Sequence, residues 1–500
     1  MPVAYQLLGR FFGPSRDALS VNTAWNGVTQ VAPQLIGLIT IPLLLRHLGL
    51  GGYGVWALAN TVIVFGVSLD GGISSSAQRF YALHLSRDDV SLAARFTASL
   101  FALVGAATVV LYAFGPLISR VVLGIAHVPA HLTADAGFLM RNIGILIGLM
   151  LCSNILIGYL RASNRFRRIA ISTVLAQLSL LVAIVVSANS LTVAKMFTLT
   201  LIQLVVLNAM LVTACLSHLL QVRARLLSRA EFKEFFSYAW RAQIMNASSL
   251  AILQTDAIFV AALLPIEELG LLAIGAQVAS AVRTLPLFAL PPLLSQITDA
   301  FGKDGLTSAT ETANRRNRTW LAIVPTYTVI AIATVAFGIR GWAGALLAAS
   351  TVAVVLTMGN GLNLLTGVAT AYVRAIGRPG LEARYAVVLV VGNLALSGPC
   401  TYFGGLAGAV WSTFAVQLAG VIYFYRIMAR NVPAFDRGLG QLRPVRLLLV
   451  AGSAFGLGLF SLLLPPRSLL TLTCAVAAAG IPALVIVLIA RKEGAQQFLS

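Results

Sequence analysis

Residues 22–34, NTAWNGVTQVAPQ, and residues 45–58, LRHLGLGGYGVWAL, belong to one apolar hairpin that runs from Asn22 to Arg79. A first apolar run ends at Leu45, Arg46 to Gly54 supply a tight turn, and a second run reaches about Ala77. Each run is long enough to cross about 30 Å of hydrocarbon as a helix. Neither is plain Leu and Val. Asn22, Asn26, Gln30 and Gln34 recur at every fourth position, so on a helix their amides share one slowly drifting face. The second run carries Asp70. Amides and carboxylates in hydrocarbon cost free energy that lipid does not return, so both faces are predicted to turn toward protein or water.

The remaining sequence extends this pattern. Hydrophobic residues make up 58% of the 500 positions and charged residues 10%, against about 25% charged in soluble domains. A polytopic membrane protein is the class that fits. About fourteen apolar stretches of crossing length can be drawn, from 21–45 and 52–77, through 240–264 and 268–298, to 446–464 and 469–490. The predicted fold is all-α, with about 14 transmembrane helices. With the N-terminus inside, most of the 35 Lys and Arg residues fall in cytoplasmic loops, which places both termini in the cytoplasm. The net charge of +19 then records topology and contact with anionic lipid, and nucleic acid is not required as a partner. Met1 to Ser20 carry no apolar core or small-residue cleavage site, so the first helix is expected to act as its own signal-anchor. Cys152, Cys215, Cys400 and Cys474 stand singly, which favours neither disulfide nor metal. No cofactor is expected.

Several clusters carry more specific chemistry. His127, His131 and Asp135 sit at spacings of four in the longest outer loop, about 120–136, but a metal site needs a fourth ligand and a supporting shell. Arg161, Arg165, Arg167 and Arg168 close the fourth span, where they fix orientation or meet a diphosphate. From Gln221 to Ala239 basic residues alternate with Leu226, Leu227, Phe232, Phe235 and Phe236, the composition of an amphipathic helix on the inner leaflet. A shift of 216 residues lays Gly54-Val55-Trp56-Ala57 over Gly270-Leu271-Leu272-Ala273, so the second half is read as a repeat of the first, related by a parallel two-fold. Asn246, Ser249 and Asp256 share a face of the seventh span. Gln277, Ser280, Arg283 and Thr284 do the same on the eighth, ahead of Pro286, Pro291 and Pro292. An Arg at a helix centre costs about 2.5 to 3.5 kcal/mol on insertion, so Arg283 is expected to face a cavity, a bound anion, or Asp256 or Asp70 as an ion-pair partner.

The motif Leu48-Gly49-x-x-x-Tyr53-Gly54-x-Trp56-x-Leu58, with Leu69-Asp70-x-Gly72-Ile73 and Arg79 behind it, resembles the first hairpin of bacterial polysaccharide flippases of the Wzx type. These belong to the multidrug/oligosaccharidyl-lipid/polysaccharide exporter superfamily, together with the MATE antiporters and the lipid II flippases. The resemblance implies a MATE-like fold: six-helix lobes over 1–220 and 240–430, a cytoplasmic amphipathic linker over 221–239, and a loop with two additional helices over 431–500. It also implies a flippase that carries a lipid-linked oligosaccharide or polysaccharide precursor across the bacterial inner membrane by alternating access. The cavity would be lined by Asn22, Asn26, Gln30, Asp70, Arg79, Asn246, Asp256, Gln277 and Arg283. Its partners would be a polyprenyl diphosphate-linked glycan, membrane lipids, a coupling proton or sodium ion, and envelope polysaccharide assembly proteins. Two other readings are carried. A MATE-like drug or ion antiporter would titrate Asp70 or Asp256. An integral-membrane glycosyltransferase or polymerase would need a sizeable outer loop with a carboxylate near its start for acid-base or metal work, whereas here no outer loop is long enough to fold and Asp135 stands alone.

Overall fold

The computed structural model describes residues 17–68, 77, 80–81, 90–220, 226–343 and 347–436. Asp70, Arg79, Cys474 and the spans expected at 446–464 and 469–490 lie outside the described residues. Among those described, the regular structure is helical and the fold is all-α and polytopic, with eight stretches long and apolar enough to cross a membrane.

The chain divides into two compact units, Met1–Gly270 and Leu271–Ser500. In the first, α1 is Asp17–Ser68, α2 Val90–Ala113, α3 Gly115–Ile125, α4 Ala130–Ala162, α5 Phe166–Val186, α6 Val193–Ala214, α7 Leu216–Leu219 and α8 Arg229–Leu263. α9, Ile266–Leu287, begins at the end of this unit and runs into the second. There it is followed by α10, Leu290–Ala343, α11, Leu347–Leu365, α12, Gly367–Ala375, and α13, Gly380–Asn431.

Helices α1, α10 and α13 are 52, 54 and 52 residues long. A straight helix of that length would span about 80 Å, far more than a bilayer. Each is in fact two helices meeting at a glycine with left-handed φ: Gly49 at 69°, Gly305 at 76° and Gly405 at 58°. A side chain at such a φ would collide with its own backbone, so these bends are glycine's to make. Gly49 falls inside the turn expected at Arg46 to Gly54.

One segment differs from expectation. Residues 120–136, read as a loop, are mostly helical: α3 extends to Ile125 and α4 starts at Ala130. Pro116 sits in the first turn of α3, where its missing N–H removes no helical bond. From Arg229 the expected linker continues without a break into the seventh span as α8. Ser228 and Glu231 form a capping box at its start.

In the first unit α4 is the most buried long helix and packs against α2, α3 and α6. Glycines make this approach possible. A Cβ at Gly144 would stand 2.9 Å from the Leu111 carbonyl carbon, and one at Gly148 would stand 2.1 Å from Thr108 Oγ1. Lipid gives helices no hydrophobic reason to associate, so backbone contact through small residues carries much of the packing.

Two close backbone approaches join the turn of α1 to the start of α9 within the first unit. A Cβ at Gly54 would meet the Ile266 carbonyl oxygen at 2.1 Å, and one at Gly270 would meet the Leu50 carbonyl oxygen at 3.0 Å. Residues 50 and 266, and residues 54 and 270, are related by the 216-residue shift. Gly54 of the motif is therefore a packing residue, excluded from being anything larger by a facing backbone carbonyl.

Candidate functional site

Arg283 lies on α9, one turn before Pro286. Proline has no N–H, so the Val282 carbonyl four residues earlier loses its helical donor. The Tyr327 hydroxyl, from α10, donates to that carbonyl at 2.6 Å. A side chain of a neighbouring helix thus supplies the donor that Pro286 lacks. On the other side α11 presents two amides one turn apart. Asn360 Nδ2 donates to the Ala279 carbonyl at 3.3 Å, and Asn363 Oδ1 accepts from Arg283 Nη2 at 3.1 Å. Asn363 Nδ2 in turn donates to the Tyr385 hydroxyl at 2.7 Å.

The end of α11 is satisfied in the same way. Its last carbonyls, Leu364 and Leu365, are left open by the break before α12 and accept from Trp320 Nε1 at 2.7 Å and from the Tyr425 hydroxyl at 2.9 Å. Arg283 is therefore set among rigidly held groups. Its Nε is buried and has no hydrogen-bond partner, and no carboxylate lies within ion-pair distance among the described residues. A guanidinium positioned by a neutral amide keeps its charge available to an anion.

In the first unit Asn26 is half-buried on α1, Gln30 is exposed on the same helix, and Asn22 lies on it with its side chain outside the described residues. Asn246 is on α8, again with its side chain outside the described residues. Asp256 is buried on α8, eight residues before Leu264, and Gln277 is half-buried on α9. Asp70 and Arg79 are not described. Around Arg283 the structure gathers Asn360 and Asn363, both legible in the sequence as polar positions in an apolar span. It adds Tyr327 and Tyr385, which sequence reading passed over because tyrosines are ordinary at helix ends.

The basic cluster after α4 is partly committed to the protein. The Arg167 guanidinium stands 5.8 Å from the centre of the Trp25 ring, a cation–π contact with α1. Arg168 donates to the Ala214 carbonyl at 2.8 Å and so caps α6. His218, just beyond the end of the membrane-crossing α6, anchors a second polar group. Thr97 Oγ1 donates its one proton to the Ala93 carbonyl at 2.9 Å, so it must accept from Tyr81 and from His218 Nε2, each at 2.8 Å. His218 also stacks on Tyr159 with ring centroids 4.0 Å apart. Beside this group Phe235 of α8 is buried against Phe80 and Phe96, and Glu231 pairs with Arg95 at 2.7 Å. Hydrogen bonds from Ser228, with Arg95 adding to them, hold the Glu231 carboxyl below its usual range. No group of three His, Cys, Asp or Glu among the described residues could hold a metal ion, and His127, His131 and Asp135 form no such cluster.

Bent helices packed through glycines, with Arg283 and its amide and tyrosine partners set among them in the second unit, define a polytopic all-α membrane protein. The chain belongs to the family of polysaccharide biosynthesis proteins, whose model matches residues 19–298. No curated protein matches it significantly. Among solved structures it is similar to the lipid II flippase MurJ in an inward closed conformation, at 15% identity and a TM-score of 0.69, over 92% of this chain and 97% of that one. An inward-facing multidrug resistance MATE family transporter follows at 14% identity and a TM-score of 0.66, over 81% of this chain and 98% of that one. A superfamily transporter from Pyrococcus furiosus matches at 15% identity and a TM-score of 0.55, over 83% and 99%.

Proposed function

We propose that this chain is a flippase that moves a lipid-linked oligosaccharide or polysaccharide precursor across the bacterial inner membrane by alternating access. Membership of the polysaccharide biosynthesis family and a fold similar to that of a lipid II flippase support the substrate class. The observation that carries the reading is Arg283, positioned by Asn363 with no carboxylate within ion-pair distance among the described residues. A diphosphate or a uronate is the partner such a cation suits, and the amides of Asn26, Gln30 and Asn363 suit sugar hydroxyls. The lobes over 1–220 and 240–430 are the bodies that would alternate, and the other lining residues proposed are Asn22, Asp70, Arg79, Asn246, Asp256 and Gln277.

A second reading has its own support. Asp256 is a buried carboxylate at membrane depth, the kind of group that couples a proton or sodium ion to drug export in a MATE-like antiporter. One experiment separates the two. A strain lacking the gene is complemented with the wild type, Arg283→Ala, Arg283→Lys or Asp70→Asn, and its lipid-linked intermediates and envelope polymers are measured. The flippase reading expects Arg283→Ala to accumulate cytoplasmic-side intermediates with polymer reduced about tenfold or more, and Arg283→Lys to recover part of it. Unchanged intermediates with altered drug tolerance would replace it with the antiporter.

A further inference from the structure

The outer end of the first unit holds a cavity of about 830 Å³ between α3 and α4, closed at one side by Tyr112 at the end of α2. Pro116, Ser119 and Leu123 of α3 face it, at spacings that put them on one side of that helix. Thr133, Gly137 and Arg141 of α4, at every fourth residue, face it from the other wall. The walls are amphiphilic: the ring of Phe138, 44% exposed, and the ring of Tyr112, 53% exposed, sit beside the Arg141 guanidinium and the Asn142 amide.

Arg141 has no hydrogen bond or ion pair to protein among the described residues, and its side chain is exposed. Its depth follows from the helix that carries it. Arg141 and Arg161 stand on the same unbroken α4, twenty residues apart, which at about 1.5 Å per residue is about 30 Å, one hydrocarbon thickness. Arg161 opens the cytoplasmic basic cluster, so Arg141 lies at the level of the outer-leaflet headgroups. Below it the surface of α2 stays apolar and open, through Val109 and Val110, each more than 50% exposed. A cation at headgroup level above an apolar wall matches a molecule with a phosphate at one end and a hydrocarbon chain at the other.

We propose that this cavity is a binding site for a lipid-borne phosphate of the outer leaflet, with Arg141 and Asn142 on the phosphate and Tyr112 and Phe138 flanking the first carbons of the chain. Two lipids carry that chemistry: a bilayer glycerophospholipid and a prenyl phosphate carrier. The site does not rest on the flippase reading, because its test is binding and not transport.

The purified full chain is titrated in detergent with phosphatidylglycerol, with a long-chain prenyl phosphate and with diacylglycerol of matching chains, and bound lipid is counted by native mass spectrometry. Arg141→Gln removes the charge at an exposed position, and Ala134→Trp fills the cavity from its exposed rim; size-exclusion profiles confirm that both fold. The expected result is one retained phosphate lipid on the wild type and about tenfold weaker retention in both variants, the loss of one charge-assisted contact. Preference for phosphatidylglycerol assigns the site to the bilayer, and preference for the prenyl phosphate assigns it to the carrier. Equal retention of diacylglycerol, or phosphate-lipid retention unchanged by Arg141→Gln, overturns the proposal.

Discussion

Tyr327 shows how a single hydroxyl can be committed by a proline on another helix. Because Pro286 leaves the Val282 carbonyl without a helical donor, Tyr327→Phe strands a buried acceptor. The expected cost is about 1 to 3 kcal/mol, read as a lower thermal midpoint of the purified protein. His218 makes a pH prediction with a definite sign. Burial disfavours its charged form and pushes its pKa from 6.5 down to about 4. The unfolded ring takes up a proton near pH 6.5 while the folded ring stays neutral, so stability is full above that pH and falls as pH drops toward 4. The loss over the window is about 3 kcal/mol, and His218→Gln should flatten the dependence of the melting temperature between pH 7 and pH 4.5. At this scale the sequence marked Arg283, because a charged residue in an apolar run is conspicuous. It did not mark Tyr327 or His218, whose roles depend on which carbonyl or hydroxyl lies opposite.

Helices here are shaped by where glycine stands. Gly54 faces the Ile266 carbonyl with no room for a methyl group, so Gly54→Ala must push two backbones apart. About 1 to 3 kcal/mol of destabilisation is expected. Gly105, inside α2, has nothing within 4 Å of its Cβ position, and Gly105→Ala should be neutral or stabilising by up to about 1 kcal/mol. Thermal midpoints of the two variants give the comparison; equal shifts would mean that the Gly54 junction does not constrain the fold. Apolar periodicity located the helices, and the glycine-rich stretch from Arg46 to Gly54 located the bend at Gly49. Periodicity could not show that residues 120–136 are mostly helical, since His127, Pro129, His131 and Asp135 read as loop chemistry until α4 supplies a surface for α3.

For the whole molecule the distribution of Arg and Lys makes a topological prediction. Lys303→Cys, beside the bend at Gly305, should resist a membrane-impermeant maleimide in intact cells and react after permeabilisation. Arg120→Cys, on α3, should react in intact cells. The reverse pattern would invert the orientation and move Arg141 to the inner leaflet. The two compact units, broken at Gly270, follow from helices that satisfy their own backbones and then pack mainly with near neighbours in sequence.

Hydropathy and the basic-residue bias by themselves determined that this chain is an all-helical membrane protein, because a backbone in lipid has few other ways to pair its polar groups. The motif from Leu48 to Arg79 added the family. What only the tertiary structure decided is the company each polar group keeps: Arg283 beside the Asn363 amide, Gly54 against a carbonyl 212 positions away, Arg141 at the edge of an amphiphilic cavity. Those pairings depend on angstrom-scale contacts between distant segments, and in a chain this apolar many segments have the same pattern.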